Sequence, residues 1–84
     1  MQKYIAALHA LQSTGVIQEH ITSLSINPRK AWFSKAQDVI DIQAFVKYRP
    51  GGLRWELTEN LWYVSRHSIN INGQQYEVTL HNRS

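Results

Sequence analysis

Apolar positions recur every three or four residues near the start of the chain and every second residue through most of the rest. Tyr4, Ile5, Leu8 and Leu11 stand at helical spacing with alanines between them, which predicts an amphipathic helix over Gln2 to Ser13. Gly15 follows where a helix ends, because glycine adopts positive φ without a Cβ clash. Over Glu19 to Asn27, Thr22, Leu24 and Ile26 alternate with Ser23 and Ser25. That period, the serines and threonine, and the closing Asn27-Pro28 favour a strand, although Ile17, Ile21 and Leu24 also match one helical face. From Asp38 to Arg49 the alternate set is Ile40, Ile42, Ala44, Val46 and Tyr48, opposed by Asp41, Gln43 and Lys47, again a strand.

Pro50-Gly51-Gly52 is a turn by composition, and Leu53, Trp55 and Leu57 then alternate with Arg54 and Glu56. After a connection at Thr58 to Asn60, a long strand is predicted over Leu61 to Ile71. Asn72-Gly73 is the strongest hairpin signal in the chain. A two-residue turn there pairs Ile71 with Gln74, Ile69 with Tyr76, and His67 with Val78. Ile69, Ile71, Tyr76, Val78 and Leu80 then share one face, and Arg66, Ser68, Asn70, Gln75, Glu77 and Thr79 the other. The fold class this predicts is α+β: an N-terminal helix packed on a mostly antiparallel sheet of about five strands, ending in a C-terminal hairpin.

Composition narrows the class. The 84 residues are too few for two cores, so residues 1–84 read as a single domain. Apolar residues are 43% and aromatics 11%, which excludes a disordered tail. No apolar run nears the roughly 20 residues that span a bilayer. His9 interrupts the short apolar stretch after Lys3, so Met1 to Ser13 does not read as a secretory signal. The chain has no cysteine, which removes disulfides, thiolate zinc sites and thiol nucleophiles. These readings favour a soluble cytoplasmic domain, and the small core favours a homodimer.

Catalytic and metal-binding residues are expected to be absent, and no cofactor is predicted. His9, His20, His67 and His81 lack metal-ligand spacing. His67, opposite Val78 on an apolar face, reads as a packed histidine. Asp38 and Asp41 point to opposite faces of a strand and cannot converge as acid and base. No serine sits in a nucleophile elbow, and Gly51-Gly52 lacks the Lys-Ser/Thr of a phosphate loop.

Binding chemistry is better represented. The net charge is +3, yet six basic against two acidic residues between Arg29 and Arg54 make that segment +4. One cluster places Arg29, Lys30 and Lys35 around Trp32 and Phe33; another places Lys47, Arg49 and Arg54 around Tyr48 and the Pro-Gly-Gly turn. Tyr48 and Trp55 alternate with core positions and are expected to be buried. A regular strand from Leu61 turns Trp62, Val64 and Arg66 away from the core, so either a partner covers Trp62 or a bulge near Ser65 reverses the faces. Trp, Tyr and Arg are the residues enriched at protein hot spots, and cations beside aromatics also hold single-stranded nucleic acid. The leading expectation is a small non-enzymatic protein-interaction module using this aromatic and basic surface. The alternative is a nucleic-acid-binding protein using residues 29–54.

Overall fold

The computed structural model describes residues 2–30 and 38–83. It has the expected α+β architecture. Helix α1 (Gln2–Ser13) is followed by a 3-10 turn (Gln18–His20) and strands β1 (Ile21–Lys30), β2 (Asp38–Val46), β3 (Glu56–Leu57), β4 (Tyr63–Ile71) and β5 (Gln74–Asn82). The five strands form one sheet in the order β1-β2-β5-β4-β3. All neighbours are antiparallel except β2 and β5, which are parallel. That parallel pair requires a long connection, and β3 and β4 stand between β2 and β5 in sequence.

Helix α1 covers one face of the sheet. Its buried residues are Ala7, Ala10 and Leu11, so the alanines rather than Tyr4 and Ile5 face the strands, and both of the latter are exposed. Small side chains let the helix lie close to Ile42, Ala44, Val78 and Leu80, all fully buried. The helix ends as predicted at Gly15, whose φ is 82°. Val16 N–H donates to the Leu11 carbonyl and Gly15 N–H to that of Gln12, each at 3.0 Å, a Schellman closure that buries Val16 beside the core.

The C-terminal hairpin has the register its turn dictates: Ile71 opposite Gln74, Ile69 opposite Tyr76, His67 opposite Val78. Asn72 and Gly73 take φ of 50° and 83°, as a tight hairpin turn requires. The other strands depart from expectation at their ends. Residues 21–30 are a strand, but it runs through Pro28 to Lys30 rather than closing at Asn27. Proline is tolerated because β1 is an edge strand and Pro28 can turn its missing donor outward. A bulge lies between Ile21 and Ser23. Strand β2 stops at Val46, so Tyr48 leaves the alternation and is 58% exposed instead of buried. Trp55 is half-buried and packs with Leu53 against the core as residues 47–55 pass from β2 to the far edge.

Leu61 is not part of β4. It occupies the left-handed region at φ 63°, with its N–H on the Thr58 carbonyl, while Thr58 N–H donates to the Trp62 carbonyl. This is a three-residue hairpin loop with leucine in the position usually held by glycine. The register of β4 is unbroken from Tyr63 to Ile71, so no bulge occurs at Ser65.

Candidate binding surface

The face away from α1 is polar along β1 (Ser23, Ser25, Asn27) and the middle of β2 and β5 (Asp41, Gln43, Glu77, Thr79), as the registers and strand alternation dictate. Arg29 lies on this face between two carboxylates. Its Nε is 2.5 Å from Asp41, and its Nη2 donates to Glu77. The hydrogen bond to Asp41, above all, raises the guanidinium pKa above its ordinary value. Arg66 is likewise paired, 3.1 Å from Glu56. With Arg54 and Val64 these two residues line a small depression near the β3 edge.

One end of the sheet is different. There the C-terminal ends of β2 and β5 meet the start of β4. Phe45 and His81 stack at 4.7 Å with their planes 19° apart. Trp62 stands edge-on to both, 5.5 Å from Phe45 and 6.4 Å from His81, and the Arg83 guanidinium lies 5.7 Å from the Trp62 ring. Trp62 therefore faces away from α1, and its own chain half-covers it. Burial, and secondarily the charge of Arg66, lowers the pKa of the His81 imidazole stacked on Phe45 and so favours its neutral form.

Around the same end, Asn82 holds the departing chain. Only 3% exposed, it donates through Nδ2 to the carbonyls of Val46 (2.9 Å) and Lys47 (3.2 Å) and accepts from Arg49 Nη1 at 3.4 Å. Arg49 in turn lies 3.8 Å over the Tyr63 ring, and Lys47 Nζ stands 5.4 Å from the exposed Tyr48 ring. Lys47, Tyr48, Arg49 and Asn82 line one shallow depression. Tyr48 also packs edge-on against His20 at 5.6 Å, and Lys47 N–H donates to the His20 carbonyl.

Of the residues the sequence nominates, Lys47 and Arg49 line one depression at this end of the sheet, and Trp62 stands at the same end on the face away from α1. Arg29 and Arg66 are paired with acids, Arg66 near enough to His81 for its charge to act on that ring, and Arg54 lines a depression with Arg66 near the β3 edge. Lys30 ends β1. Trp32, Phe33 and Lys35 lie outside the described residues. Sequence reasoning misses Phe45, His81, Asn82 and Arg83. The alternation of β2 was a signal for Phe45; Asn82 carried none.

His67, on the α1 face, is hydrogen-bonded to Ser65 Oγ through Nε2 at 2.8 Å, and burial lowers its pKa. It is the packed histidine expected. Among the described residues, no helix is long and apolar enough to cross a membrane. Comparison of the chain with protein-family models, with curated proteins and with solved structures finds no match.

Proposed function

We propose that this chain is a non-enzymatic binding module, acting in the cytoplasm, that docks a protein partner at the basic and aromatic end of its sheet. The observation that carries this reading is that three cation–ring pairs, Lys47 with Tyr48, Arg49 with Tyr63 and Arg83 with Trp62, gather at the one end of the sheet where β2 and β5 finish and β4 begins. Lys47 and Arg83 have no ion pair among the described residues, in contrast to Arg29 and Arg66. Half-buried aromatics held by cations form a preorganised contact area whose positive charge selects a partner bearing carboxylates.

Nucleic acid is the second reading, and Tyr48 favours it, since an exposed ring beside Lys47 is a base-stacking platform. It is weakened by Arg29, the first cation of the basic segment, which is already bound by Asp41 and Glu77.

The deciding experiment screens the purified chain against displayed random peptides and, in parallel, against labelled single- and double-stranded oligonucleotides. Enrichment of acidic peptides that bind the wild type and fail on a Lys47→Glu/Arg83→Glu variant supports protein docking. Oligonucleotide binding that falls steeply with salt, with no peptide enriched, transfers the site to nucleic acid. Peptides that bind the double variant equally refute this surface.

A further inference from the structure

Strand β1 is a ten-residue sheet edge with no neighbour on its outer side among the described residues. Pro28 has no N–H, so the ladder to β2 stays intact when Pro28, Ile26 and Leu24 turn their backbone groups outward and Ser23, Ser25, Asn27 and Arg29 turn theirs to β2. Leu24 and Ile26 thus present backbone donors and acceptors at the rim that have no partner among the described residues, with half-buried apolar side chains on the α1 face. Beside them, a groove of about 500 Å³ runs from Leu8 and Leu11 past Ile17 to Ile21, and Ile17 is 51% exposed. Such an edge is an open template for another strand.

Two interruptions limit what can pair with it, and their positions identify the occupant. Thr22 is the extra residue of the bulge, and Pro28 lacks a donor. Each stands three residues from Ser25 in the sequence. A twofold axis at Ser25 therefore sets Thr22 of one copy opposite Pro28 of the other, where neither has to supply a ladder hydrogen bond. Leu24 then faces Ile26 of the second copy, each pair exchanging both backbone bonds. Ser25 faces Ser25 on the polar side, and Ser23 faces Asn27. Apolar residues meet apolar residues on one face and polar residues meet polar residues on the other, as an isologous contact demands.

We propose that β1 pairs antiparallel with β1 of a second copy about a twofold axis at Ser25, joining two sheets into one. This homodimer uses the outer edge of β1, which contains none of Lys47, Arg49, Trp62 or Arg83, so it stands or falls apart from the reading given above.

The chain lacks cysteine, so one introduced thiol reports the geometry directly. Facing residues of a non-hydrogen-bonded pair lie about 4.5 Å apart at Cα, within disulfide range. Ser25→Cys is expected to cross-link two copies efficiently under mild oxidation. Ser23→Cys is not, because the two Ser23 residues would be about 14 Å apart along the strands. Sedimentation velocity is expected to show a dimer for the wild type. Ser25→Lys, which opposes two like charges across the axis on an exposed position, is expected to raise the dimer dissociation constant by about tenfold or more with an unchanged circular dichroism spectrum. Ile26→Pro, which removes an outward donor, tests the same contact by a second route. A monomeric wild type at about 100 μM, a concentration well above ordinary dimer constants, would overturn the proposal. So would equal cross-linking at positions 23 and 25, or a dimer that survives both Ser25→Lys and Ile26→Pro.

Discussion

Asn82→Ala is the substitution whose effect can be worked out most fully. The native carboxamide is buried and donates two hydrogen bonds, at 2.9 and 3.2 Å, to the carbonyls where the chain leaves β2. Each such bond contributes about 1 kcal/mol net, and a buried carbonyl left short of its donor costs more than the lost bond alone. The expected loss is about 2–3 kcal/mol, a large share of a stability of order 5–15 kcal/mol. With a urea slope near 1 kcal/mol per molar for a chain this short, the midpoint should fall by roughly 2 M. Tryptophan fluorescence and circular dichroism, read at one protein concentration, follow the transition. Asn82→Leu separates the causes, because it restores the volume but not the donors. If the hydrogen bonds matter, it remains as unstable as the alanine variant. A midpoint shift below about 0.5 M for alanine, or full recovery with leucine, would refute the clamp.

Other expectations follow from the backbone and the histidines. Leu61→Gly should stabilise by about 0.5–1 kcal/mol, because relief of the left-handed strain exceeds the entropy that glycine adds to the unfolded chain; a lowered melting temperature would contradict it. Gly73→Ala should cost about 1 kcal/mol although no atom lies within 4 Å of the added Cβ, since the φ of 83° alone opposes it. Burial depresses the pKa values of His67 and His81 below 6.5, so the unfolded chain takes up protons first as pH falls. The stability these two neutral rings contribute is therefore present above pH 6.5 and is lost as pH falls toward their folded-state values. Urea midpoints measured at intervals from pH 7.5 to 5 should decline, and His67→Gln with His81→Phe should flatten that decline.

The helix, the strands and the hairpin register were legible because local chemistry and side-chain period agreed at each. Asn72-Gly73 demanded one turn, and the alternation on either side of it demanded the same pairing. Strand ends were less legible. The β2 alternation continues on paper to Tyr48, but Asn82, a residue from the other end of the sequence, turns the chain at Val46. Leu61 read as strand because leucine rarely adopts positive φ, and only the hydrogen bonds between Thr58, Leu61 and Trp62 require it there. The helix face was read from its large side chains, whereas close packing on the sheet selected the alanines. Long-range order took Arg29 from the site: strand pairing brought Asp41 and Glu77 to it from two other strands.

Strand order also sets a timetable. β5 lies at the centre of the sheet, between β2 and β4, yet follows both in the chain. As the polypeptide is synthesised, β1 with β2 and β3 with β4 can form as separate antiparallel units, but they share no ladder until residues 74–82 emerge and bridge them. Until then neither unit has the central strand beside it, and both flanks of the missing strand invite wrong pairing. The nascent sheet is thus exposed to misassembly until β5 is complete, and a ribosome stalled before residue 74 would release two half-sheets that cannot close.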